Sequence, residues 1–148
     1  MNKSLYRYLS LIIIALMLFS GCSINKDPGT LESMVDSNEE LSAAIQSAAA
    51  DTECSIDIKD NTITYSYDIS TLDGVTDEVI KKDAFIESAE ASIASQEESL
   101  VELCRSIEEM TGISGIVVNL RYTYGKKKVS AASFTAADQD ENETAESN

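Results

Sequence analysis

The chain has 148 residues, enough for one domain with a modest core. It carries 26 Asp and Glu against 11 Lys and Arg, and no His. A net charge of −15 repels phosphates and excludes nucleic acid as a partner, while the lack of His denies a Ser or Cys nucleophile its usual base.

Residues 1–8 hold Lys3 and Arg7 and no acid. Leu9 to Phe19 is apolar except for Ser10. A run of about eleven residues falls short of the roughly 20 that span a bilayer. A basic start, a short apolar core and small residues after it read as a signal peptide over residues 1–21. The stretch Leu18-Phe19-Ser20-Gly21-Cys22 resembles the lipobox of bacterial lipoproteins, with Phe19 where Leu is usual. The resemblance implies that the Cys22 thiol takes a diacylglyceryl group and becomes the first residue of the mature protein. Two acyl chains suffice for lasting attachment, where one is marginal. The expected partner is therefore the lipid bilayer, and the expected place is the extracytoplasmic face of the cell membrane. Loss of residues 1–21 removes Lys3 and Arg7 and no acid, which leaves nine basic against 26 acidic side chains, or −17. Such a polyanion suits solubility in the cell envelope.

Residues 22–29 contain the only Pro and read as a tether. Residues 136–148 are acidic, lack bulky apolar side chains and read as a disordered tail. A small α+β domain is expected over residues 30–135. Leu31, Met34 and Val35 begin a helical stripe that runs to Ala50. Ser37 and Glu40 form an S-x-x-E box, so this is one helix broken near Ser37 or two short ones. Cys54, Ile56 and Ile58 then alternate with polar residues, as do Ile63, Tyr65, Tyr67 and Ile69. Asp60-Asn61 between them tolerate the positive φ of a tight hairpin. A two-residue loop pairs Lys59 with Thr62, Ile58 with Ile63, Ile56 with Tyr65 and Cys54 with Tyr67, so every inward residue meets an inward one.

Residues 70–76 form a loop. Val79, Ile86, Ile93, Leu100 and Ile107 recur every seventh residue and predict one long helix over 77–111, stopped by Gly112. Lys82 and Gln96 interrupt the second heptad position, which favours a helix packed on a sheet over a coiled coil. Ile116, Val118, Leu120, Tyr122 and Tyr124 share one face of a third strand. Gly125 and Lys126–Lys128 turn the chain, and Val129–Phe134 returns it. The expected fold is two-layered: a four-stranded antiparallel sheet of two hairpins, covered on one face by the N-terminal helix and one long central helix.

This order, with Thr30-Leu31-Glu32, Asn38-Glu39-Glu40-Leu41, Asn61-Thr62-Ile63-Thr64-Tyr65 and Glu109-Met110-Thr111-Gly112-Ile113, resembles a family of small Gram-positive lipoproteins and secreted proteins that carry a domain of unknown function. The resemblance implies fold and compartment and brings no catalytic residues.

Cys54 and Cys104 both project from apolar faces. Outside the membrane they could form a disulfide closing a loop of about 50 residues, worth roughly 4 kcal/mol on the chain-entropy model. The alternative is two separate buried thiols. Two Cys without His fall short of a zinc set, and no C-x-x-C exists for redox work. Asp73, Asp77 and Glu78 lack EF-hand spacing and suit a helix N-terminus. No cofactor, metal or catalytic residue is expected. Tyr65, Tyr67, Tyr122 and Tyr124, with the Lys126, Lys127 and Lys128 turn, form a candidate binding surface; the same tyrosines fit the edge of a small core. The sequence thus points to a non-enzymatic lipoprotein that binds a protein or an envelope component. The alternative is a structural or regulatory accessory subunit of a membrane or cell-envelope complex.

Overall fold

A computed structural model of the chain describes residues 29–52 and 54–139. Two short helices come first, α1 (Leu31–Asp36) and α2 (Glu39–Thr52). Thr30 caps α1: its hydroxyl accepts from the Ser33 N–H, and the Ser33 hydroxyl accepts from the Thr30 N–H. The second cap lies one residue beyond the expected one. Asn38 Oδ1, not Ser37, accepts the Leu41 N–H at 3.1 Å, while the Ser37 hydroxyl donates to the Met34 carbonyl. Both side chains satisfy backbone groups at a helix terminus, and Asn is as good a cap as Ser.

β1 (Cys54–Lys59) and β2 (Thr62–Asp68) form the expected hairpin, with the expected register from Cys54 opposite Tyr67 to Lys59 opposite Thr62. Asp60 supplies the positive φ of the turn, at 51°. Asn61 does more than turn the chain. Its Oδ1 accepts the Leu31 N–H, its Nδ2 donates to the Ser114 carbonyl, and its own carbonyl accepts the Val117 N–H. One residue thereby ties α1 and the start of β3 to the hairpin.

The long central helix is in fact two. α3 spans Asp83–Ala94 and α4 spans Glu97–Thr111. At the joint the Ser95 hydroxyl and Gln96 Nε2 both donate to the Ser92 carbonyl, so side chains take over backbone bonding there. Glu97 and Glu98 then sit in the first turn of α4, favourable to its dipole. Residues 77–82 make turns rather than helix: the Val79 N–H is held by the Thr76 hydroxyl, and the Lys82 N–H returns to the Val79 carbonyl. Gly112 ends α4 as expected, at φ 70°, a conformation costly for any residue with a Cβ.

β3 (Val117–Tyr124) and β4 (Lys127–Thr135) make the second hairpin. Only Gly125 and Lys126 turn the chain; Lys127 and Lys128 belong to β4. Val129 is an extra residue in the ladder, because Tyr122 faces Ser130 while Thr123 faces Lys128.

The sheet order is β1-β2-β3-β4, and the sheet is mixed rather than antiparallel: β2 and β3 run parallel. The reason lies in the connection. Helices crossing one face of a sheet carry the chain back to the end where the preceding strand began, so the next strand repeats its direction. Asn61 and Asp68 bracket this parallel pair. At the far end Asp68 Oδ1 accepts the N–H groups of Ser70 and Gly125; the Ser70 hydroxyl foremost, and then these two N–H groups, hold its carboxyl below the usual range.

One face of the sheet is apolar and covered. Leu100, Leu103, Cys104 and Ile107 of α4, with Leu31 and Leu41, pack against Ile63, Tyr65, Val118 and Leu120, and all are buried. The opposite face is polar, with Asn119 donating to the Thr64 hydroxyl, Ser133 donating to Asn119, and Arg121 bonded to Ser66. Ala136–Gln139, expected as the start of the tail, form a 3-10 turn beside α4, where Arg105 donates to the Ala136 carbonyl.

Candidate functional site

Across the covered face the strands line up in three rows: Cys54–Tyr67–Tyr122–Ser130, Ile56–Tyr65–Leu120–Ala132 and Ile58–Ile63–Val118–Phe134. Two of these rows shrink sharply at β4, from Tyr122 to Ser130 and from Leu120 to Ala132. Only Phe134 keeps its bulk. Where the small residues stand, α3 and β4 leave an open groove of about 590 Å³ along the sheet edge. Ile93, Ala94, Ala132 and Phe134 give it an apolar floor. Glu90 and Glu97, seven apart on either side of Ile93, stand on its helical wall, and Asp138 closes one end. No Lys or Arg lines it.

Asp138 also finishes β4, for its Oδ2 accepts the Thr135 N–H at 2.6 Å and the Thr135 hydroxyl at 3.1 Å. The groove therefore runs beside a strand whose last residue is tied to Asp138.

The tyrosines expected to share a surface are separated by depth. Tyr65 is 4% exposed and belongs to the core. Its hydroxyl has no hydrogen-bond partner among the described residues, and burial, with Cys54 and Cys104 nearby, pushes its pKa well above the ordinary value. Tyr67 and Tyr122 are half-buried, their rings 5.9 Å apart and tilted by 51°. The Tyr122 hydroxyl lies 3.2 Å from the Ser92 hydroxyl, so this pair pins α3 to the sheet. Tyr124, at the end of β3, is half-buried as well. Lys126, Lys127 and Lys128 are exposed. Lys127 Nζ reaches Asp77 Oδ1 at 2.7 Å, which holds that carboxyl below its ordinary range, and Lys81 adds a weaker contact to Asp77 at 3.6 Å. Asp77 thus has protein cations as partners.

Cys54 and Cys104 are both buried, and no disulfide joins them. Cys54 lies on β1, one edge of the sheet, whereas Cys104 Sγ sits against the Phe134 carbonyl of β4, the other edge. Three strand spacings of about 4.8 Å separate those edges, roughly 14 Å, well beyond the reach of a disulfide. Burial pushes the Cys104 thiol up to about 11. Cys22 lies outside the described residues.

A family model described as Domain of unknown function (DUF4854) matches residues 31–130. The chain belongs to this family. The match runs from the first residue of α1 to Ser130 in β4, so β1, β2, β3, the helices and the helical wall of the groove lie within the DUF4854 region, while Ala131–Phe134 and Asp138 on the strand side lie beyond it. No curated protein and no solved structure matches the chain. Among the described residues of this DUF4854 chain no helix is long and apolar enough to cross a membrane.

Reasoning from the sequence missed the groove. Its signal was the small side chains Ser130, Ala131, Ala132 and Ser133 in a strand, together with Glu90 and Glu97 flanking Ile93 at helical spacing. The buried face of the last strand does not follow from its sequence, because Val129 is an extra residue that interrupts the alternation.

Proposed function

We propose that this DUF4854 chain is a non-enzymatic binding module, held at the outer face of the cell membrane by a lipid on Cys22, and that it binds its partner along β4. The groove between α3 and β4 carries this reading. It is a large concave surface where an apolar floor meets a one-signed rim of carboxylates. Clefts of this size and mixed lining are common recognition sites. The anchor rests on the basic start, the short apolar run and Ser20-Gly21-Cys22.

The test is crosslinking and pull-down of the tagged, lipidated protein from intact cells, read by mass spectrometry. A stoichiometric partner that is lost on Glu90→Lys with Glu97→Lys, both at exposed positions of the groove, supports the module. An integral membrane partner in constant ratio would make the chain an accessory subunit. For the anchor, Cys22→Ala is expected to leave the detergent phase on partitioning; unchanged partitioning of that variant overturns it.

A further inference from the structure

The direction of the backbone groups along β4 follows from two hydrogen bonds. The Val117 N–H points to Asn61, on the β2 side, so the groups of Val118, Leu120 and Tyr122 face β4. Their partners Phe134, Ala132 and Ser130 are then bonded within the ladder, and the N–H and C=O of Ala131 and Ser133 face outward. The Thr135 N–H, next in that alternation, does point outward, to Asp138. Among the described residues β4 pairs with β3 alone, so the outward groups of Ala131 and Ser133 have no strand to bond there.

We propose that the groove takes an extended, Lys- or Arg-bearing segment of a partner protein, which adds to β4 as a fifth strand. The proposal deepens the binding-module reading and rests on it. Main-chain bonds to Ala131 and Ser133 would supply the pairing, as in other cases of strand addition. Alternate side chains of the incoming strand would point toward the helices, over Ala132 and Ile93, where the small residues leave room. There Glu90, Glu97 and Asp138 meet them, with no basic residue among the lining. Charge selects the occupant. Residues 140–148 of this chain carry Asp140, Glu141, Glu143 and Glu146 and no Lys or Arg. A second copy would bring the same three carboxylates to the interface. Both are disfavoured by like-charge repulsion, and a basic segment is favoured.

The experiment uses the full lipidated chain in detergent micelles. The probe is a fluorescent peptide of alternating Lys and Val, matched to the nine residues of β4, with a Glu-Val counterpart. Binding is read by anisotropy and by amide hydrogen exchange. The Lys-Val peptide is expected to bind and to slow exchange at Ala131 and Ser133. Glu90→Gln with Glu97→Gln, both at exposed positions, should weaken it about tenfold, and added salt should do the same. Ala131→Pro should abolish binding, because it removes an outward N–H and no bond of the β3–β4 ladder. Equal binding of the Glu-Val peptide would overturn the proposal, as would full binding by the Glu90, Glu97 double variant. A dimer that dissociates in Ala131→Pro would give the edge to a second copy instead, and binding released only by deleting residues 140–148 would give it to the chain's own tail. A cellular partner retained by Ala131→Pro defeats this inference alone, whereas the absence of any partner defeats the binding module itself.

Discussion

β1 and β4 close the sheet on opposite sides; β1 carries features that discourage another strand along its length, whereas those of β4, Lys127, Lys128 and the extra Val129, stand only at its start. It has six residues, with exposed Asp57 and Lys59 on its open face. Helix α1 lies against its turn, where the Glu32 N–H donates to the Asp60 carbonyl and the Asp60 N–H donates to Glu32 Oε2. Charges, shortness and a covering element are the usual guards of an edge. β4 has nine residues, and from Val129 to Thr135 it carries no charge. Its acids stand beside it on α3, at the start of α4 and on the 3-10 turn, where they rim a groove instead of interrupting the strand. The difference teaches that one edge is closed by the fold and the other is left available, with a charge pattern chosen by its neighbours.

The largest expected effect falls on the β4 side. Phe134 is 6% exposed and supplies the only bulky side chain that β4 gives to the core rows. Phe134→Ala should cost about 3–5 kcal/mol, toward the lower end because the adjacent groove lets water reach the gap. Urea unfolding measures it, and a loss under roughly 1 kcal/mol would mean that β4 is scarcely anchored. On the β1 side the matching lesion is Asn61→Ala. It leaves the Leu31 N–H and the Ser114 carbonyl without their side-chain partner, at roughly 1–3 kcal/mol. Hydrogen exchange should then rise in α1 and at the start of β3 and stay unchanged in the middle of β4. A uniform rise would erase the distinction between the two edges.

The third effect depends on pH. Burial raises the folded pKa of Cys104 from 9.0 to about 11. The folded protein therefore holds this proton more tightly than the unfolded chain does. The contribution is fully present below pH 9 and is lost as pH rises through 11. Thermal melts over that range should fall more for the wild type than for Cys104→Ala, and equal slopes would count against a buried thiol. The smallest effect on stability is Ala131→Lys, which gives β4 the kind of guard that β1 has. Ala131 is exposed, so stability should move by no more than about 0.5 kcal/mol. Binding of the Lys-Val peptide should nonetheless fall, because the new cation repels it. Unchanged binding would show that the strand edge is not where recognition occurs.

Much of this architecture follows from the sequence alone. Period-two alternation on both sides of Asp60-Asn61 determined the first hairpin to the residue, since a slip by one would expose Ile56, Ile58, Ile63 and Tyr65 together. Gly112 marked the end of α4 because few other residues adopt its φ. The order of elements also follows from periodicity, which each local segment carries by itself. What the sequence left open depends on contacts distant along the chain. The parallel pairing of β2 with β3 is decided by where two helices deliver the chain. The break at Ser95-Gln96 is decided by side chains that capture the Ser92 carbonyl. The depth of Tyr65, the separation of Cys54 from Cys104, and the groove beside Ser130 and Ala132 arise only when four strands lie side by side. Periodicity tells which side chains point inward, but whether an inward residue meets a tyrosine, a thiol or an open edge is a property of its neighbours in space.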